Sequence, residues 1–312
     1  MEFVKNLSTN PWVMAIRLHT LPAIVAPIFL GTSIAIHDGV FQPSIVFVVL
    51  LCSLLIQIGT NLANDYYDAL NSVDTSDRIG FKRATASGLI SPPQMKKAWI
   101  MTFCFAMLLG FYLLYIGGIP ILLIGLLSIT AGILYTGGPY PFGYYGLGDA
   151  FVFIFFGIIA VTGTYYVQSV SAFSQFPLWF PPGTITTLPI IASISMASLT
   201  TSILVVNNIR DMDTDKKAGK LTLSIYLGEF WGKMEYLLLI LLGFYIPVYF
   251  YTSLNFPLTV LLPLLLCPYG ILLIYKIFSN PAPIDFNQIL KHTTFLTLFF
   301  SILFGIGIFN HF

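Results

Sequence analysis

The sequence predicts an all-α integral membrane protein of about nine transmembrane helices, with the N-terminus inside and the C-terminus outside (N-in/C-out). Three observations predict it. The first is composition: of 312 residues, 57% are hydrophobic and only 9% are charged, against about 25% charged residues in a soluble domain, and mean hydropathy is +0.86. The second is the length of the apolar runs, about 20 residues each, which suits helices and not the roughly 10-residue alternating strands of an outer-membrane barrel. The third is where the cations fall.

Nine apolar segments can be drawn, near 13–36, 43–63, 98–116, 119–137, 149–169, 185–206, 235–253, 256–278 and 291–311. Only Gly117-Gly118 separates the third from the fourth. With the N-terminus inside, Lys5 and Arg17, the cations of 78–97, those of 210–233, and Lys276 and Lys291 all fall on the inner side. These are all 14 Lys and Arg of the chain, and cations resist translocation. Trp12, Trp99, Trp179 and Trp231 fall near segment ends, as interfacial anchors do. The first apolar run is too long for a cleavable signal peptide, contains Arg17 and His19, and lacks a small-residue cleavage site. Cys52, Cys104 and Cys267 show no mutual spacing, so neither disulfides nor a metal site are expected from them. The net charge of +1 is uninformative in total, and no nucleic-acid partner is expected.

Charge concentrates in two inner loops, roughly 64–97 and 207–234. The first opens with "NLANDYYD" (61–68), where Asn61, Asn64, Asp65 and Asp68 fall on one stripe of a helix. The second reads "NNIRDMDTDKKAGK" (207–220), where Asp211 and Asp215 share a face with Asn207 and Asn208 and Asp213 points away. Both contain Asn-x-x-x-Asp, and both are followed by a basic-x-Thr step, Arg83-x-Thr85 and Lys220-x-Thr222. The recurrence suggests that a single domain, 1–312, contains a repeated four-helix unit, about 13–137 and 149–278. An even number of crossings per unit would bring both motifs to the same side.

A juxtamembrane cluster of Asp and Lys is ordinarily a solvated helix end. Two clusters of matched spacing on one face favour a shared ligand instead. Clustered carboxylates repel one another, and a divalent cation relieves that repulsion. Few oxygen ligands near cations suit Mg²⁺, which is commonly held by one or two carboxylates plus phosphate oxygens. Arg78, Lys82, Arg83, Lys217 and Lys220 supply phosphate donors. The implied ligand is a Mg²⁺-bridged diphosphate at the inner mouth of a helical bundle. Arg17, inside the first apolar run, is either a snorkelling cation or a further diphosphate contact. The Gly-rich stretch 137–149 has no Walker lysine and reads as a loop, with Tyr135 and Asp149 as candidate cavity lining. The uncharged outer loop 174–184 reads as a structural cap.

These residues carry a resemblance. "NLANDYYD", "RATASGLI" (83–90) and "NNIRDMDTDKKAGK" look like the two Asp-rich motifs of the UbiA superfamily of membrane prenyltransferases, in the branch that acts on 1,4-dihydroxy-2-naphthoate in menaquinone synthesis. "RLHTLPAIVAPIFLG" (17–31) is similar to that branch's opening signature. "GFKR" (80–83) departs from the pattern by lacking a Pro after the Gly. The resemblance implies helices around a lipid-open central cavity in the cell (inner) membrane, with the site facing the cytoplasm. It implies one Mg²⁺ on Asn61, Asn64, Asp65 and Asp68, and a second on Asp211 and Asp215, near Asn207. Arg78, Lys82 or Arg83, Arg210 and Lys220 would hold the diphosphate, with Arg17 as a further contact and Asp74 beside the site. The expected reaction moves a polyprenyl group from polyprenyl diphosphate to dihydroxynaphthoate with loss of carboxylate, giving demethylmenaquinol. The alternatives are another aromatic acceptor, 4-hydroxybenzoate or homogentisate, and a membrane transporter. Transporters place polar groups near the midplane, whereas here no segment centre holds a charge.

Overall fold

The computed structural model describes residues 10–71 and 80–309. Every regular element among them is helical. The chain begins with α1 (Pro11–Ile16) and a 3₁₀ turn (Leu18–Thr20), followed by α2 (Pro22–His37), α3 (Pro43–Leu70) and α4 (Pro92–Leu134). Next come α5 (Gly148–Ala172), α6 (Thr187–Arg210), the short α7 (Met212–Lys217) and α8 (Leu223–Leu227), then α9 (Glu229–Ser253), α10 (Leu258–Phe278) and α11 (Pro283–Phe309). Pro11, Pro22, Pro43 and Pro92 each open a helix, where a missing N–H leaves no bond unmade. At α4 the backbone N–H of Ser91 also donates to Gln94 Oε1 at 3.2 Å, part of a capping box.

Among the described residues, seven helices are long and apolar enough to cross a membrane; α1 with its 3₁₀ turn and α2 make an eighth if counted as one span bent by 44°. Arg17, expected within a continuous apolar run, instead ends α1 with a left-handed backbone at φ 57°. The two segments separated by Gly117-Gly118 in the sequence form a single helical run of 43 residues, kinked at Gly118 with φ 66° and ψ −158°. Straight, that run would extend about 64 Å, twice the roughly 30 Å of a bilayer core. It is not straight. Gly59 of α3 packs against Phe103 in the first arm, and Thr60 packs against Gly132 in the second. Those positions lie at almost equal separations either side of Gly118, so the arms run back antiparallel along α3. The tip is pinned by the segment after α5, with the Ile119 N–H donating to the Pro177 carbonyl at 2.9 Å. Tyr166 of α5 donates to the Gly117 carbonyl, also at 2.9 Å.

The most buried span is α6. Its small residues, among them Ala192, Ser193, Ser195, Ala197 and Ser198, let neighbouring backbones come close. Gly157 of α5 meets the backbone of Ala197 so closely that a Cβ would fall 2.1 Å from its Cα. Hydroxyls such as those of Ser195 and Ser198 donate back to carbonyls of their own helix. Against α6, α9 and α11 build an aromatic core from Tyr236, Phe244, Phe250, Phe300 and Phe304. On the other side α3, α4 and α5 stand around an open space.

Candidate active site

That space is a cavity of about 480 Å³ whose polar end is lined by Asn61, Asn64 and Asp68 from α3, and by Asn207, Arg210 and Lys220 from α6 and the segment after α7. Motifs far apart in the chain therefore face one volume. Away from this end the wall turns apolar. Phe151 stacks with Phe142 and Phe155, ring centroids 4.3 and 5.8 Å away, and Phe151, Phe155 and Phe156 line the cavity.

The four polar residues of the first motif lie on the last turns of α3, all buried, but they do different things. Asn61 donates to the Ile16 carbonyl at 2.9 Å and to Thr20 Oγ1 at 3.1 Å, tying α3 to the chain entry. Asn64 Oδ1 accepts from Thr136 at 2.8 Å. Asp65 is only 1% exposed, and its two oxygens accept the backbone N–H groups of Ala84 and Thr85, each at 3.1 Å. It is therefore turned toward the chain that follows α3. Asp68 faces the cavity, accepting from Tyr144 Oη at 2.9 Å and pairing with Arg83 at 3.4 Å.

The second motif begins in the last turn of α6 and runs on through α7. Asp211 caps that helix and accepts two hydrogen bonds from Arg210, from Nε and from a terminal nitrogen, both at 2.7 Å. The same guanidinium donates to Asn207 at 2.6 Å and to Asn287 of α11 at 2.8 Å. Arg210 lines the cavity, yet each of its three guanidinium nitrogens is already engaged by this network. Gly80 lies flat against it, where a Cβ would come within 2.7 Å of a guanidinium nitrogen. Asp215, buried in α7, pairs with Lys220 at 3.1 Å. Asp213 and Lys217 are exposed. Burial works to lower the Lys220 pKa, but Asp215, then Asp68 and Asp211, outweigh it and leave the ammonium above the ordinary lysine value. One cation thus senses acids of both motifs.

Lys82 and Arg83 both reach the cavity wall, as do Arg17 and Tyr135. Phe81 beside them packs against His19, with ring centroids 4.1 Å apart and the planes tilted by 35°. Asp149 lies buried behind the wall and accepts from Asn208 at 3.2 Å. Asp74 and Arg78 lie outside the described residues. Sequence reasoning missed Thr136, Tyr144 and Asn287 as partners of Asn64, Asp68 and Arg210. Tyr144 stands in the Gly-rich loop that the sequence presents as a connector, and no local pattern marks the others.

Among the described residues, no group of three or more His, Cys, Asp and Glu stands ready to hold a metal ion. The donor chemistry nevertheless fits a hard cation. Asp68 and the amides of Asn64 and Asn207 line the cavity as oxygen donors, and Asp211 and Asp215 stand behind the lining residues Arg210 and Lys220 with which they pair. At Asp68 and Asp215 a metal would need to displace the present partners Arg83 and Lys220, whereas Asp211 would meet it with Arg210 still in place.

Comparison with known proteins follows the same lines. The family model described as the UbiA prenyltransferase family matches residues 24–303. The 1,4-dihydroxy-2-naphthoate octaprenyltransferase of Escherichia coli (strain K12) is 38% identical over 227 residues, 71% of this chain and 70% of that protein. The enzyme of the same name from Haemophilus influenzae (strain ATCC 51907 / DSM 11121 / KW20 / Rd) is 31% identical over 315 residues, 97% of each chain. A solved UbiA homolog from Archaeoglobus fulgidus, bound to DMAPP and Mg²⁺, superposes with a TM-score of 0.61 at 14% identity, covering 97% of this chain and 100% of that one.

Proposed function

The chain belongs to the UbiA prenyltransferase family and is an aromatic prenyltransferase, and from that premise we propose that it transfers a polyprenyl group from polyprenyl diphosphate to 1,4-dihydroxy-2-naphthoate, with loss of the carboxylate, giving demethylmenaquinol. Above all, this reading rests on one cavity whose polar end is lined by Asp68 of the first motif and by Arg210 and Lys220 of the second, the partners of Asp211 and Asp215, with aromatic and aliphatic side chains beyond. A diphosphate head and a long hydrocarbon tail require that combination. The acceptor is taken from the relatives' names.

Asp68, Asp211 and Asp215, with Asn64 and Asn207, would hold Mg²⁺. Bound there, the ion supplies neutralisation of the charge that grows on the diphosphate as the allylic C–O bond breaks. Lys82, Arg83 and Lys220, with Arg17 at the wall, would orient and neutralise the leaving diphosphate. Asp65 acts one step back, fixing Ala84 and Thr85 so that Arg83 is presented to the site. The network of Arg210 keeps Asp211 and Asn207 in place. Phe151, Phe155 and Phe156 exclude water and offer π-faces to the allylic cation. The tail follows the apolar wall, where each buried CH₂ contributes about 0.8 kcal/mol.

Among the described residues, counting the antiparallel arms of α4 as two crossings and the bent entry as one raises the seven long helices to nine spans. Nine spans support the N-in/C-out orientation of the cation distribution, with the site on the cytoplasmic side of the cell membrane. The test of function is a single assay of membranes, Mg²⁺ and labelled prenyl diphosphate, offering dihydroxynaphthoate and 4-hydroxybenzoate in parallel. Product with dihydroxynaphthoate alone supports the reading; product with 4-hydroxybenzoate alone moves the chain to another acceptor class.

A further inference from the structure

Asp68, on the cavity wall, and Asp211 and Asp215, behind it, are each partnered by a basic side chain that lines the cavity: Asp68 by Arg83 at 3.4 Å, Asp211 by Arg210 at 2.7 Å and Asp215 by Lys220 at 3.1 Å. The three pairs are not equivalent. The Arg210 side chain is 1% exposed and is locked by Asp211, Asn207 and Asn287 together. Arg83 and Lys220 retain 11% and 14% exposure, and both line the cavity. Lys220 also stands within the fields of Asp68 and Asp211 as well as its partner. Lys220 thus sits where carboxylates of opposite motifs would otherwise repel, and Arg83 covers Asp68 on the same cavity wall, the places a divalent ion would take.

We propose that Lys220 and Arg83 are resident stand-ins for the metal, and that metal–diphosphate enters by partner exchange. The carboxylates of Asp215 and Asp68 turn to the metal, and the two released cations turn to the phosphate oxygens. No covalent bond changes; ion pairs are swapped, and charge stays balanced in both states. Arg210 does not take part. The exchange rests on the metal–diphosphate reading of the site and adds a consequence to it. Metal alone must displace two cations that gain no new partner, and diphosphate alone would strip the acids of theirs. Binding of the two is therefore strongly coupled. The arrangement also keeps buried carboxylates paired while the site waits, which matters because an unpaired buried charge is strongly destabilising.

Removing a basic residue should therefore tighten metal binding. Mn²⁺ serves as the probe, titrated calorimetrically into detergent-purified full-length protein with and without inorganic pyrophosphate. Wild type should bind Mn²⁺ weakly alone and more tightly with pyrophosphate. Lys220→Met should bind Mn²⁺ alone roughly tenfold tighter or more, the low end of what one like charge at contact distance is worth, and should lose most of the pyrophosphate enhancement. Arg83→Met should change in the same direction, whereas Lys220→Arg, which keeps the charge, should still bind Mn²⁺ alone weakly. Thermal unfolding of each variant reports folding separately. No gain in Mn²⁺ affinity in either Met variant overturns the exchange. A wild type that binds neither Mn²⁺ nor Mn²⁺–pyrophosphate overturns instead the reading of the site on which it rests.

Discussion

The two acidic motifs have the same Asn-x-x-x-Asp spacing and are held in different ways. In the first, Asn61, Asn64 and Asp65 are fixed by neutral groups, namely carbonyls, hydroxyls and backbone amides. Asp68 is the member that meets a cation. In the second, Asp211 and Asp215 are both held by charge. Similar spacing therefore places similar residues without giving them similar work. The first motif is largely scaffold with one acid aimed at the cavity, whereas the second is a charge network. Its first acid is tied to α11 through Arg210 and Asn287, its second to a lysine from the segment after α7.

Single substitutions separate these two kinds of attachment. The largest effect is expected from Asp68→Asn and Asp215→Asn. Each keeps shape and removes charge from the mouth, and each should lower prenyl transfer by about 10²–10³, the scale of one lost electrostatic contact in a transition state. Their unfolding temperatures should move little, because the cations left behind border the open cavity. Turnover near wild type in either variant would contradict the assignment.

Arg210→Met should act first on stability. It leaves Asp211 buried without its cation, a loss of about 3–5 kcal/mol for a broken buried pair, visible as a lower unfolding temperature. An unchanged melt would mean that the network does not brace α6 against α11. Asp65→Asn is expected to fall between the classes. An amide has one acceptor oxygen, so one of the Ala84 and Thr85 N–H groups loses its partner, at about 1–3 kcal/mol. Proteolysis within 80–90 should accelerate, and activity should drop as Arg83 is displaced. Activity lost with stability and proteolysis unchanged would instead make Asp65 a direct participant.

The smallest effect is expected from Tyr144→Phe, which removes one hydrogen bond to Asp68, about 0.5–1.5 kcal/mol. Activity should fall roughly tenfold or less, with no change in metal requirement. A larger loss would give the Tyr144 hydroxyl a part beyond holding Asp68.

Much of this was legible in the sequence because it depends on local periodicity and on bilayer physics. The helical stripe of Asn61, Asn64 and Asp68 follows from about 100° per residue. The apolar lengths follow from membrane thickness, and the division at Gly117-Gly118 marks where α4 turns back. What was not legible depends on tertiary approach. Asp65 lies on the expected stripe, but whether it looks into the cavity or at the chain behind is decided by where Ala84 and Thr85 pass, 19 and 20 residues on. Arg210 resembles a diphosphate donor until Asn287, from the last helix, takes up its remaining nitrogen. Tyr144 sits in a loop whose glycines advertise a turn and conceal a partner of Asp68. Apolar neighbours place Arg17 inside a helix, yet its backbone ends one.

Whether both motifs grip one ligand is tested most directly by a double-mutant cycle on binding of Mn²⁺–pyrophosphate to wild type, Asp68→Asn, Asp215→Asn and the double variant. A shared ligand predicts strong non-additivity, the second substitution losing little once the first has been made. Losses that simply add would place the two acids at independent sites and contradict a common grip.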